Sequence, residues 1–175
     1  MVKDQLNFVI REAKRSDAGS IIAYLKRIAG ESNFLTFGSV DELNLTVEKE
    51  ERLLEELLTR NNAQYLIAEC SGQIVGSLNF NGGSKQRTVH TGEFGISVLK
   101  EYWGHGIGRA LIERMLKWSK ENGIIRKINL RARSDNARAI HLYKSLGFVH
   151  EGVITRDLQI DRTFYDSVHM GLMID

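Results

Sequence analysis

The sequence contains no proline in 175 residues and a single cysteine, Cys70. A lone thiol excludes an internal disulfide and a cysteine-based zinc site, so no metal is expected, and it agrees with a reducing compartment. The missing proline has no explanation elsewhere in the chain. No apolar run is long enough to cross a bilayer, and the opening MVKDQLNFVIRE lacks the hydrophobic stretch of a secretion signal. The expectation is a cytoplasmic protein without a membrane partner. An excess of one charge is also lacking: 24 Lys and Arg stand against 22 Asp and Glu, interspersed, for a net +2. That excludes the basic footprint of a nucleic-acid binder. The string Gly-x4-Gly-Lys-Ser/Thr of a nucleotide P-loop does not occur.

What is present is an ordinary soluble composition, 42% hydrophobic and 26% charged, in a chain long enough for one domain with a proper core. Asn7 to Arg11 reads as a first strand. Ile21, Ile22, Leu25 and Ile28 then recur at helical spacing, with Gly30 as the expected stop. Thr46 reads as an N-cap for a helix carrying Leu53, Leu54, Leu57 and Leu58 and opening on Glu48, Glu50 and Glu51, acids that suit its positive end. Between these helices Asn33 to Leu45 is mixed, with Phe34, Leu35 and Phe37 apolar but without period. Tyr65 to Cys70 and Gln73 to Phe80 flank Ser71-Gly72, a hairpin signal.

Val89 to Leu99 predicts another strand. A helix from Gly106 to Asn122 places Ile107, Leu111, Met115 and Trp118 on one stripe. Ile128, Leu130 and Ala132 alternate as a strand. Ser134 or Asp135 would cap a helix through Leu146, with Gly147 at its left-handed end. Phe148 to Ile154 and Ser167 to Met173 close the chain as strands. The order βααβββαβαββ predicts an α/β (α+β) fold: one domain over residues 7–173, its sheet mixed, with helices on both faces. A homodimer is compatible with this reading, though nothing in the chain demonstrates one.

The informative stretch runs from Glu93 to Gly123: an apolar strand, a turn with Gly104, Gly106 and Gly108, then a periodic helix. The first N–H groups of a helix lack intrahelical partners and sit at the positive end of its dipole. Glycines let an anion approach that backbone, so the pattern points to a phosphorylated cofactor. A dinucleotide fingerprint needs Gly-x-Gly-x-x-Gly and an acid on the next strand. Here the third glycine is one residue early and the next strand ends in Arg131 and Arg133. Those arginines suit a 2′-phosphate, which keeps an NADP-dependent oxidoreductase open. A tight turn that binds nothing is the remaining alternative.

The string SVLKEYWGHGIGRALIERM resembles the acetyl-CoA motif of the GNAT superfamily of N-acetyltransferases, Arg/Gln-x-x-Gly-x-Gly/Ala, matched at Trp103-Gly104-His105-Gly106-Ile107-Gly108. A second stretch, DNARAIHLYKSLGFVHEG, resembles the family's downstream motif through Asn136, Ala139-Ile140, Leu142-Tyr143 and Leu146-Gly147-Phe148. Both motifs stand in the right order, and with the strand order they bring nearly the whole chain under the resemblance. It implies a central, mostly antiparallel sheet of six to seven strands and acetyl-CoA as cosubstrate. Backbone groups of Ile96, Ser97 and Val98 would meet the pantetheine arm, and N–H groups of Gly104, His105, Gly106, Ile107, Gly108 and Arg109 would cradle the pyrophosphate. Asn136 would bond the pantetheine and Tyr143 would lie beside the sulfur. One position departs from the pattern: Trp103 replaces Arg or Gln and supplies no charge.

Such a resemblance implies transfer of acetyl to an amine acceptor. Glu93 is the candidate base, by its spacing relative to phosphinothricin-type members; a glutamate solvated on the strand's outer face is the equal alternative. Tyr143 is the candidate general acid, two helical turns from Asn136 so that both side chains follow one extended ligand. His90 and His169 read as structural. The acceptor site would be closed by Asn33–Leu45 and by a loop at Thr155–Asp166, whose Asp157, Asp161 and Asp166 suit a cationic amine or are simply solvated. A non-catalytic acyl-CoA-binding module is the rival from another class.

Overall fold

A computed structural model describes residues 6–175. Its elements are β1 (Val9–Glu12), α1 (Ala18–Glu31), α2 (Val47–Thr59), β2 (Ala63–Cys70), β3 (Gln73–Gly82), β4 (Thr91–Val98), α3 (Ile107–Glu121), β5 (Lys127–Arg133), α4 (Ala137–Ser145), β6 (Val149–Ile160) and β7 (Thr163–Met173). The seven strands form one sheet in the order β1-β2-β3-β4-β5-β7-β6. Every neighbouring pair is antiparallel except β4 and β5.

Alternation along β2 divides the core. Tyr65 and Ile67 face one way, against Ala18 and Ile21 of α1 and Leu54 and Leu57 of α2. Leu66 and Ala68 face the other way and, with Leu78 and Phe80 of β3, meet Leu111 and Met115 of α3. The expected mixed sheet covered on both faces is therefore the observed one.

Local chemistry accounts for most boundaries. Thr46 Oγ1 accepts the Lys49 N–H at 3.3 Å and opens α2. Ser71 and Gly72 join β2 to β3 with φ of 50° and 77°, the left-handed pair of a type I′ hairpin. Three expectations need correction. Helix α1 runs through Gly30 and ends when Ser32 turns extended, because its buried stripe of Ile21, Tyr24 and Ile28 outweighs one glycine. The cap of α4 is neither Ser134 nor Asp135: Asn136 Oδ1 accepts the Ala139 N–H. The supposed loop Thr155–Asp166 is mostly strand, since β6 and β7 extend into a long hairpin that turns at Asp161-Arg162, both at positive φ.

The feature that positions a site is the meeting of β4 and β5. These strands pair at only three positions, Thr91 with Lys127, Gly92 with Ile128 and Glu93 with Asn129. Beyond Glu93 they separate, and a wedge opens between their C-terminal halves.

Candidate active site

The wedge exposes a defined set of backbone groups. Gly83 N–H donates to Thr91 C=O and Leu99 N–H to Val75 C=O. The antiparallel register between β3 and β4 is unbroken, so Glu93, Gly95 and Ser97 also turn their backbone groups toward β3. Facing the gap are the C=O of Phe94, whose N–H still pairs with β5, both groups of Ile96, and the N–H of Val98. Of the three residues expected there, Ile96 and Val98 present backbone groups and Ser97 does not. The Ser97 hydroxyl instead lies 2.8 Å from the Tyr24 hydroxyl, a link between β4 and α1.

At the mouth of the wedge, Gly104 and Gly106 hold φ of 81° and 83°, a conformation that only glycine adopts at little cost. A Cβ on either would meet no protein atom within 4 Å, so the space before them is open. The first intrahelical bond of α3 runs from Ala110 N–H to Gly106 C=O. Among the described residues, none of the N–H groups of residues 104–109 has a protein acceptor. Gly104, His105, Gly106, Ile107, Gly108 and Arg109 thus present consecutive donors at the positive end of a helix, the arrangement that receives a phosphate.

The exposed side chains around this turn fold back to bond the protein's own groups. His105 Nδ1 folds back to 3.2 Å from the Tyr102 carbonyl. Arg109 donates to Ser145 Oγ at 2.7 Å and so ties α3 to α4. Trp103, the departure from the motif, donates its indole N–H to Val98 C=O at 2.7 Å. The Arg138 guanidinium lies 4.7 Å above its ring. The tryptophan therefore pins the turn to β4 and carries a cation from α4 beside the cleft, in place of carrying one itself.

Tyr143 and Asn136 lie on α4 across the wedge. The Tyr143 ring packs edge-on against Phe94 and Phe148. Its hydroxyl makes no hydrogen bond among the described residues, and burial pushes its pKa up to about 12. It is therefore a protonated donor across the physiological range. Asn136 spends Oδ1 on its own helix and keeps its amide N–H groups free to donate. The cleft joining these groups has a volume of about 1050 Å³ and is lined by Ile96, Val98, Gly104, Gly106, Asn136 and Tyr143 among others. It extends past Gly95 to the irregular segment after α1, where Phe34, Leu35 and Phe37 form one wall.

Glu93 sits differently. Its carboxylate accepts from Arg131 Nε at 3.0 Å, both side chains are about half exposed, and it is not among the residues lining the cleft. Arg131 also faces Asp157 at 3.6 Å. Arg133 is paired with Asp135 at 2.7 Å and held between the rings of Phe34 and Tyr165. The two arginines that kept an NADP reading open are thus engaged with the protein's own carboxylates. The β4-α3-β5 unit is parallel, as a dinucleotide fold requires, but every other neighbouring pair in the sheet is antiparallel, unlike the mostly parallel sheet of that fold.

Two of the three expected aspartates, Asp157 and Asp166, are likewise engaged. Asp166 accepts the Arg156 N–H at 2.8 Å, and Asp161 sits in the hairpin turn. His169 faces Glu151 at 3.3 Å. Among the described residues no cluster of three or more potential metal ligands occurs, and no helix is long and apolar enough to cross a membrane.

The periodicity and motifs gave no notice of Glu50. This α2 residue is 2% exposed and lines the cleft beside Tyr65, Ser77 and Asn79. An acid in a first helical turn reads as a solvated partner of the dipole, and no local signal marks this one as inward.

Known proteins share this fold. The model of the acetyltransferase (GNAT) family matches residues 33–148. The L-amino acid N-acetyltransferase AaaT of Escherichia coli is 29% identical over 117 residues, 67% of this chain and 72% of that protein. The crystal structure of an acetyltransferase of the GNAT family from Streptococcus pneumoniae superposes with a TM-score of 0.92 at 33% identity, covering 97% of this chain and 100% of that one. A GNAT superfamily phosphinothricin acetyltransferase from Sinorhizobium meliloti, solved in complex with acetyl-CoA, shares the fold at a TM-score of 0.82 and 17% identity, with coverage of 95% and 88%.

Proposed function

The chain belongs to the acetyltransferase (GNAT) family, and we propose that it transfers acetyl from acetyl-CoA to a primary amine, of a small molecule or a protein N-terminus, by direct attack on the bound thioester. The observation that carries this reading is the run of unpartnered N–H groups at residues 104–109, opening onto a cleft edged by the free backbone of β4. Acetyl-CoA would supply a diphosphate for the first, an extended amide-bearing arm for the second, and an activated acyl group. Asn136 would donate to that arm. The Ile96 N–H faces the gap and would support the carbonyl oxygen as it gains charge.

An alkyl ammonium of pKa near 10.4 must lose a proton before it attacks, at about 4–5 kcal/mol at neutral pH. Glu93, held by Arg131, would accept that proton through solvent rather than by direct contact, because its carboxylate stands outside the cleft lining. As the C–N bond forms and the C–S bond breaks, sulfur leaves as a thiolate. Burial holds the Tyr143 hydroxyl well above the ordinary pKa of a thiol, so complete transfer of its proton to sulfur is unfavourable. Tyr143 therefore serves as a hydrogen-bond donor to the departing sulfur. The proton that ends on sulfur or in solvent comes from the nitrogen.

Thermal shift with acetyl-CoA, CoA and NADPH, followed by thiol release over a panel of amines, tests the reading. It expects stabilisation by both CoA species, none by NADPH, and thiol release with at least one amine. CoA binding without turnover on any amine would favour an acyl-CoA-binding module, and no CoA binding would refute the site.

A further inference from the structure

The acceptor half of the cleft holds one acidic side chain that the chemistry above does not use. Glu50 is 2% exposed, yet among the described residues its carboxylate has no hydrogen bond and no ion pair. Burying an ionised carboxylate without a partner is costly, and a desolvated acid lining a cleft is a candidate for binding a cation there. Burial raises the Glu50 pKa, and its charge in turn helps raise that of the neighbouring Tyr65 hydroxyl.

The other charges lining the cleft are engaged or lie toward the phosphate end. Arg131 has Glu93 and Asp157, Arg133 has Asp135, and Arg109 and Arg138 belong to the side of α3 and α4. The acceptor half of the cleft also carries apolar side chains, Phe34, Leu35, Phe37 and Leu53, beside the uncharged polar Ser77 and Asn79.

Strand register connects this acid to the reacting edge. Tyr65, Asn79 and Gly95 are direct cross-strand neighbours on β2, β3 and β4. They form a floor about 10 Å wide running from beneath Glu50 to the open edge of β4. A Cβ on Gly95 would meet nothing within 4 Å, so the end of that floor is clear. We propose that Glu50 is the specificity-determining residue of the acceptor site, binding a second, non-reacting ammonium group of a diamine whose connecting surface is apolar, so that the other amine reaches the open edge of β4. The proposal rests on the acetyltransferase reading, which places the acyl donor at the far end of the same floor. It gives the buried carboxylate its missing partner and the aromatic wall its contact, and it disfavours acceptors that carry a carboxylate near the amine.

The test is calorimetric binding of 2-phenylethylamine, one ammonium on an apolar body, to the full chain saturated with CoA, where no acetyl can be transferred. Glu50→Gln keeps the shape and removes the charge. The variant should bind 2-phenylethylamine at least about tenfold more weakly, the loss expected for a charge-assisted contact. It should bind the uncharged 3-phenyl-1-propanol as wild type does and keep its CoA affinity. Its melting temperature should equal or exceed that of wild type, because an unpaired buried charge has been removed. Equal affinity of both proteins for 2-phenylethylamine overturns the proposal. So does a parallel loss for both probes, which would show that the substitution only disturbs the pocket. Failure of wild type to bind CoA would refute the acetyltransferase reading itself, a result distinct from either of these.

Discussion

Replacing Tyr143 by phenylalanine removes one oxygen atom and asks whether chemistry can be separated from folding. The ring contacts with Phe94 and Phe148 survive the change. The hydroxyl has no protein partner among the described residues, so its loss breaks no hydrogen bond in the free enzyme. Removing a buried polar group that lacks a partner is neutral or favourable, and the melting temperature should stay level or rise slightly. Turnover should respond differently. A hydrogen bond to a charged acceptor contributes about 1.5–3 kcal/mol, so without it the departing thiolate should form about 10- to 150-fold more slowly. The figure is no larger because a hydroxyl of pKa about 12 stabilises the thiolate without fully protonating it. Continuous detection of released thiol with a disulfide reagent gives kcat, and calorimetry gives CoA affinity. Wild-type turnover in the phenylalanine variant would refute the role, and so would a loss of CoA affinity large enough to account for the slower rate.

Other substitutions address the frame of the site. Gly106→Ala forces a side chain to φ of 83°, which should lower stability by about 1–2 kcal/mol; because its Cβ enters open space before the turn, CoA affinity by calorimetry should fall as well. Gly92→Ala puts a Cβ 2.4 Å from Asn81 C=O and 2.5 Å from the Phe80 ring, just where β4 still pairs with β5. It should destabilise by about 1–3 kcal/mol or more in denaturant melts, and an unchanged midpoint would contradict the packing described. Hydrogen bonding from Arg11 holds the Asp17 carboxyl below its ordinary range despite partial burial. That stabilisation is complete above the unfolded carboxylate pKa near 4 and is lost as pH falls through the lowered folded value. Asp17→Asn should therefore lower the melting temperature at pH 7 and converge on wild type in strong acid.

Much of the fold was readable because its signals are local. The Thr46 cap, the Ser71-Gly72 turn and the stripe of Leu111 and Met115 each depend on neighbours in sequence, and the chain alone carries that information. The glycine turn was readable for the same reason: a run of unpartnered backbone donors needs only spacing and φ. What escaped depends on distant partners. Glu50 and Glu51 look alike in a first helical turn, yet one is buried in the cleft and the other pairs with Arg15 on the surface. Glu93 was legible as a carboxylate on the right strand, but its tie to Arg131 crosses from β4 to β5. The Thr155–Asp166 segment is polar enough to read as a loop, and only pairing between β6 and β7 makes it strand. Which residues of β4 turn toward the gap was settled by the β3 register, through parity that no single-strand pattern contains.

The wedge between β4 and β5 has one more consequence. The donors at residues 104–109 and the open edge of β4 would grip portions of the carrier that the reaction never alters. Spent CoA offers them the same diphosphate and the same arm as the loaded form, and differs by two carbons near Tyr143. On the proposed reading, discharged carrier would be a competitor by construction, and the rate would follow the ratio of acylated to free coenzyme as much as the supply of amine.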